Sequence, residues 1–354
     1  MLNAADNTKP REVNVGLPAS VGGTTILENG LPVVFFFWPE MPYFAWAIDA
    51  TTNNLQTLDL GQTAVNVGDV GFAVSTFNNL GTPNFHGVGT VNSNHYGLLR
   101  NSINLSGPLG NKGIKFSLGG YMSFDPGTFE APKINRFHAG QTQLYKAALS
   151  KDYKSSWGSG SVAAFYKYAN TRKAGLRTYS PVIYNADGSI EEYEYETGKK
   201  FQIGRDSYYE ETGRLKLKNG WDGTDLDVDL MNDYATYSHT IDLIGKNTLN
   251  NGLNVNYTLR YHNAHAAIPA VFSMGASKSS EGAGYYKANV SGERVPYNGA
   301  VQSMLALVSR PTPIQSFMSV IEVGKKSGNH DWKIGFNEWY YNINKFFTET
   351  EHTS

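Results

Sequence analysis

The sequence predicts a mainly β protein, a small α+β module followed by roughly nine antiparallel strands of an incomplete transmembrane β-barrel. Three observations lead there. From about residue 87 onward the strand-like runs are long, and most reach the roughly 9–11 tilted residues that span a bilayer. Their connections alternate in length. Pro108–Lys112, Asp152–Ser156, Gly245–Asn251 and Lys325–Asn329 are short, whereas Asp125–Gln141, Thr171–Thr224 and Asn263–Pro313 are long. Several strands also alternate polar with apolar residues, as a wall with lipid on one side and a wet lumen on the other requires. A soluble sandwich has no reason to keep short turns at one end and long loops at the other; a membrane barrel does.

Residues 1–10 read as an irregular lead-in. From Val13 to Pro83 the strands are short and separated by joints such as Val21-Gly-Gly23 and Trp38-Pro-Glu-Met-Pro42. Thr24–Leu27 and Leu31–Phe37 flank Glu28-Asn29-Gly30, a good hairpin turn because Asn and Gly tolerate positive φ. A short helix and a further strand are expected within Ala47–Leu60. The long strands follow at 87–93, 98–106, 114–124, 142–151, 160–169, 225–243, 252–262, 315–324 and 331–345. In Asp225–Leu230 acids and aliphatics alternate. In Leu253–Tyr261 the residues Leu253, Val255, Tyr257, Leu259 and Tyr261 share one face, and Asn254, Asn256, Thr258 and Arg260 the other. Tyr166, Tyr168, Tyr234, Tyr237, Tyr340 and Tyr341 lie where an interfacial girdle is expected. Nine strands leave the chain on the side opposite its start, and Thr348–Ser354 reads as a polar stub, so the expected product is a fragment of a larger barrel.

Composition agrees with a β-rich chain. The 354 residues include 37 glycines and 22 tyrosines, and only 17% are charged. A formal net charge of −1 gives no basic face for nucleic acid. With no cysteine there is no disulfide, cysteine-based zinc site or thiol nucleophile. No stretch is apolar for long enough to form a membrane helix, and the start of the sequence lacks the basic and apolar regions of a signal peptide.

Val13-Asn-Val-Gly-Leu-Pro18, Thr25-Ile-Leu-Glu-Asn-Gly-Leu-Pro-Val33, Val67-Gly-Asp-Val-Gly-Phe-Ala-Val-Ser-Thr76 and the hairpin Gly87–Pro108 resemble the plug and first barrel strands of TonB-dependent outer-membrane receptors. The resemblance covers nearly the whole chain with loose motifs. Val15 stands where the family often has Arg, Asn29-Gly30 replaces Asp-Gly, and no Arg-Gly-Pro follows Leu60. It implies a lead-in at 1–10, a plug at 11–84 and the N-terminal part of the barrel at 85–354, from a family whose barrels have roughly 22 strands. It also implies residence in the cell outer membrane, with a signal peptide lost by truncation. Its implied function is import, without catalysis or cofactor, of a large nutrient such as an iron chelate, cobalamin, oligosaccharide or peptide. The implied partners are that nutrient, outer-membrane lipid and a TonB-type energy transducer, with no nucleic acid.

Trp38, Tyr43 and Trp46 are the candidate ligand contacts, since aromatic rings bury large areas at low entropic cost; packing of the module against the wall is their competing use. The acidic run Ile190–Glu196, with Asp187, reads as a solvated loop with a cation role as the alternative. Asp225, Asp227 and Asp229 alternate as a strand face does. His262 and His265 are three apart, which does not align two side chains on a strand, and neither has a carboxylate close in sequence. Gly158-Ser-Gly160 falls in a turn between strands and lacks the context of a nucleophile elbow. The rival readings are a secreted soluble β-protein that binds or cleaves glycans and a passive porin, which has no plug-like module.

Overall fold

A computed structural model of the chain describes residues 12–13, 24–34, 40, 42–59, 63, 67, 72–126, 140–173, 176–177, 182–184, 187, 189–192, 214–218, 223–229, 232–278, 286–288, 294–296, 300–343 and 348–353.

The N-terminal module is a five-stranded sheet made of β1 (Glu12–Val13), β2 (Thr24–Glu28), β3 (Leu31–Pro32), β4 (Thr52–Leu58) and β5 (Phe72–Asn78), with a single-turn helix α1 (Pro42–Ala45). β2 and β5 run parallel at its centre. Asn29 and Gly30, at φ 54° and 87°, turn the chain back between β2 and β3 as their tolerance of that region predicts. The expected helix lies earlier than Ala47, because Pro42 pre-sets the helical φ at its first position. Phe35–Phe37, expected to extend the second strand, lie outside the described residues.

The second sheet is a simple meander of nine antiparallel strands. They are β6 (His86–Ser93), β7 (Leu99–Leu109), β8 (Ile114–Asp125), β9 (Gly140–Lys154), β10 (Gly158–Lys173), β16 (Tyr234–Leu249), β17 (Leu253–Lys278), β20 (Ala300–Ser327) and β21 (His330–Ile343). Eight of the nine expected strands each correspond to one of these, and β6 and β21 are not paired with each other. Residues 110–113, 155–157, 250–252 and 328–329 close the short turns at one end. The connections that contain 126–139, 174–233 and 279–299 lie at the other. At 26 and 28 residues, β17 and β20 exceed a bilayer span and project past it at the long-connection end.

Within the long connections lie β11 (Leu176–Arg177), the hairpin of β12 (Val182–Tyr184) with β13 (Ile190–Glu192), the hairpin of β14 (Arg214–Lys218) with β15 (Asp225–Asp229), and the hairpin of β18 (Tyr286–Ala288) with β19 (Arg294–Pro296). The run expected as one strand over 225–243 is therefore two elements. β15 leaves the wall because its register sets Asp225, Asp227 and Asp229 opposite Lys218, Lys216 and Arg214, a complementary cross-strand pattern. Thr348–Thr353, expected as a polar stub, forms β22 and carries the edge onward along β20, with Thr348 opposite Ser309 where Ile343 lies opposite Ile314. Gly158-Ser-Gly160, expected as a turn, opens β10.

The polarity of the large sheet is inverted relative to a water-soluble fold. One face exposes Ile103, Leu105, Leu118, Leu149, Ile241, Leu243, Tyr261 and Phe317. The opposite face buries Asn104, Ser117, Lys146, Lys167, Thr240, Asp242, Arg260 and His262, with Asp242 and Arg260 at 0% exposure. A sandwich in water does the reverse, so the outward face is the one adapted to hydrocarbon. Tyr166, Tyr237 and Tyr340 lie on that outward face. Tyr234 and Tyr341 do not, against expectation: Tyr234 packs edge-on against Phe44 at 5.0 Å, and Tyr341 against the Leu31–Met318 cluster.

Leu243→Arg tests this polarity. In vesicles it is expected to cost about 2–4 kcal/mol in denaturant titrations, as a cation at the bilayer midplane does. A water-facing position would change stability by no more than about 0.5 kcal/mol.

Candidate functional site

The inward face of the large sheet meets the N-terminal module through small apolar clusters and a chain of buried charges. Ile26, Val33, Val34 and Ala45 of the module pack with Leu144 and Ala169 of the wall, and Phe44 packs with Ile268 and Ala270. Gly119 is required at this contact, because a Cβ there would collide with the Thr51 side chain.

Arg260 is the centre of the polar interface. Its Nε and Nη2 donate to Asp242 Oδ1 and Oδ2 at 2.6 and 2.7 Å, the bidentate geometry that makes such pairs strong. Its remaining N–H groups donate to the carbonyls of Pro32 (2.8 Å) and Glu28 (2.9 Å) on either side of the Asn29–Gly30 turn. Asn29 Nδ2 donates to Asp242 Oδ2 at 3.0 Å, and Thr258 Oγ1 to the Asn29 carbonyl at 3.0 Å. The turn of the module is thus held by three wall side chains.

A second cluster surrounds Glu28, which is 1% exposed. Its carboxylate pairs with Lys167 and lies 3.6 Å from Lys146 Nζ. It also accepts from Asn78 Nδ2 at 3.0 Å. Lys146 pairs with Asp49 at 2.8 Å and donates to Thr51 Oγ1 and Asn78 Oδ1. Burial alone would raise the Glu28 pKa, but Lys167, Lys146 and Arg260 outweigh it and hold the carboxyl far below the usual carboxylate range. A third contact joins His262 Nε2 to Glu40 Oε1 at 2.6 Å, with Thr240 Oγ1 2.9 Å from the other ring nitrogen. His265 is exposed on the opposite face, as the three-residue spacing predicts. Among the described residues no group of three His, Asp or Glu could hold a metal.

Toward the long-connection end, a cavity of about 350 Å³ opens between the segment after α1 and the wall. Trp46, Thr90, Asn92, Arg100 and Tyr121 line it. Trp46 is half-buried, and its indole N–H donates to Thr76 Oγ1 at 3.1 Å, which ties the ring to the module. Of the other expected ligand contacts, Tyr43 lies in α1, while Trp38 lies outside the described residues. Asp187 is exposed and accepts from Ser189, and Ile190–Glu192 form β13; Tyr193–Glu196 lie outside the described residues. The sequence reading missed Glu28, Glu40, Asp49, Lys146, Lys167 and Asp242. Their one local signal is a lone charge at an inward position among small or apolar neighbours, as in Leu144-Tyr-Lys146-Ala-Ala148.

No family model matches the chain and no curated protein sequence matches it. Its neighbours among solved structures are siderophore receptors of the outer membrane. The pyoverdine outer-membrane receptor FpvA of Pseudomonas aeruginosa, bound to pyoverdine, is 12% identical over 93% of this chain and 45% of its own, with a TM-score of 0.47. The siderophore receptor PirA of Acinetobacter baumannii is 12% identical over 86% and 41%, at 0.41. The ferric yersiniabactin uptake receptor FyuA of Yersinia pestis is 10% identical over 90% and 52%, at 0.37. The chain spans 37–45% of the FpvA structures it matches.

Two outcomes are expected at the charged interface. Arg260→Met leaves Asp242 buried without its partner and is expected to cost about 3–5 kcal/mol in unfolding titrations, while Arg260→Met with Asp242→Leu costs clearly less. Because the folded-state pKa of Glu28 is depressed, its stabilisation is complete above the ordinary glutamate pKa. It is lost as pH falls from there through the folded value. Glu28→Gln is therefore expected to flatten the acid limb of a stability–pH profile measured by heat-modifiable gel mobility.

Proposed function

We propose that the chain is the plug and N-terminal barrel wall of an outer-membrane nutrient receptor, with the lead-in at 1–10, the plug at 11–84 and the barrel at 85–354. The observation that carries this reading is the inverted polarity of the nine-strand sheet, apolar outward and charged inward against a small module. A soluble glycan-binding sheet would expose the charges and bury Leu243 and Phe317. The module would then sit in the lumen, and movement of it, driven by an inner-membrane TonB-type transducer, would open the path for a ligand.

The cavity beside Trp46 is the proposed ligand site, with Trp38 and Tyr43 in the same segment as further contacts. Arg100 supplies a permanent positive charge, and Trp46 and Tyr121 supply aromatic faces. That combination favours an anionic iron chelate with planar groups over a neutral oligosaccharide or a cobalamin.

The test uses the full chain folded in detergent micelles and in buffer alone, with ferric catecholate and hydroxamate chelates titrated against tryptophan fluorescence. Expected are sheet structure and a heat-modifiable mobility shift only in detergent. Chelate binding should also weaken about tenfold, near 1.4 kcal/mol, in Arg100→Ala and Trp46→Ala. A stable, monomeric, cooperatively unfolding protein in detergent-free buffer would sink the receptor reading.

A further inference from the structure

On the outward face, at the short-turn end, strands β9, β10, β16 and β17 form a groove of about 470 Å³. Tyr153, Trp157, Val162, Leu249, Val255 and Tyr257 line it, together with Asn247. The rings are arranged as walls. Tyr153 and Trp157 lie 5.3 Å apart on one side. Tyr257 lies flat over Gly245 on the other, at a place where a Cβ on Gly245 would strike the ring. Gly158 and Gly160, on the outward positions of β10 that precede Val162, add no side chain. A Cβ at either would meet the carbonyl oxygen of Thr248 or Lys246. The Asn247 amide is already satisfied: the Tyr153 hydroxyl donates to its Oδ1 at 2.5 Å, and its Nδ2 donates to the Val255 carbonyl at 3.1 Å. The result is a mostly apolar trough rimmed by amphipathic rings, at the level where the apolar wall ends.

Two lysines flank it. Lys151 of β9 lies opposite Val162 and is exposed, and Lys325 of β20 lies opposite Leu253, one outward position beyond Val255. Trp332, opposite Lys325, continues the aromatic rim. An apolar trough continuous with a hydrocarbon-facing wall, ending among rings and cations, matches an acyl chain with an anionic headgroup at its end.

We propose that this groove binds one acyl chain of a glycerophospholipid, with its headgroup phosphate drawn to Lys151 and Lys325 at the rim. The inference rests on the reading of the outward face as membrane-facing. It adds a site on the wall's outside, separate from the cavity beside Trp46. The short-turn end then carries a resident lipid, lying along the trough that Tyr153, Trp157 and Tyr257 wall.

The test takes the full chain folded into vesicles of phosphatidylglycerol and phosphatidylethanolamine, extracts it into mild detergent, and measures phospholipid phosphorus per chain. Beside it run Val162→Trp, which fills the groove, and Leu118→Trp, an outward position away from it. Heat-modifiable mobility reports folding in each case. Expected is retained phospholipid in the unaltered chain and in Leu118→Trp, and a drop of about tenfold in Val162→Trp. Replacing both Lys151 and Lys325 by Ser is expected to lower the phospholipid phosphorus retained per chain. Equal retention by a folded Val162→Trp variant overturns the proposal, as does a folded unaltered chain that retains no phospholipid or self-associates through this face instead. A chain that never enters the vesicles, seen as absent mobility shift, overturns the membrane reading itself and the groove with it.

Discussion

Among the described residues, the contact between the module and the wall is organised around a guanidinium with no access to solvent. Arg260 projects from the wall into the turn between β2 and β3, and the turn presents it with the Glu28 and Pro32 carbonyls while Asp242 closes the pair. An ion removed from water costs several kcal/mol unless its donors are all met, so while the module covers it Arg260 depends on the turn carbonyls as well as on Asp242. The Asn29–Gly30 turn depends on the same contact in return, because Asn29 binds Asp242 with its side chain and Thr258 with its carbonyl.

The reason the contact is ionic lies on the other side of the sheet. Each strand gives alternate residues to opposite faces, and the outward set is committed to Leu, Ile, Phe and Tyr. The inward set is therefore free to be polar, and the module meets it with carboxylates rather than with a large apolar surface. An apolar seal of comparable size would lose free energy in proportion to the area re-exposed when the module moved. Buried ions and hydrogen bonds behave differently, since water can replace the partners they lose. The small apolar clusters around Leu144, Ala169 and Ile268 fix the seat, and the charges fix its register.

The strands of the wall were legible because alternation is local. Leu253–Tyr261 announces both faces within nine residues, and the burial follows it from Tyr257 to Tyr261. The same locality misleads at Asp225–Asp229, where the pattern is that of a wall strand. The partner that takes it away, Arg214–Lys218, is recognisable only once the register is known. The charged interface is harder still. Lys167 and Glu28 are 139 residues apart, and Arg260 and the Glu28 carbonyl 232. In sequence Glu28 is merely part of a turn, and Lys146 and Lys167 are single charges within alternating strands. Trp46 stood out through its size, whereas Arg100 and Tyr121, which share its cavity, carried no signal until β7 and β8 were laid beside α1.

The sharing of charges between wall and module has a directional consequence. Arg260 and Asp242 both belong to the wall, so withdrawal of the module leaves that pair intact. Lys146 and Lys167 also belong to the wall, but their carboxylates, Asp49 and Glu28, belong to the module. Departure of the module would leave two uncompensated cations on the inner surface, at neighbouring positions of β9 and β10 set opposite each other in the register. Such a pair raises the local concentration of anions and repels cations. Without the module, that part of the inner surface would therefore favour negative charge. That agrees in sign with Arg100 in the cavity beside Trp46.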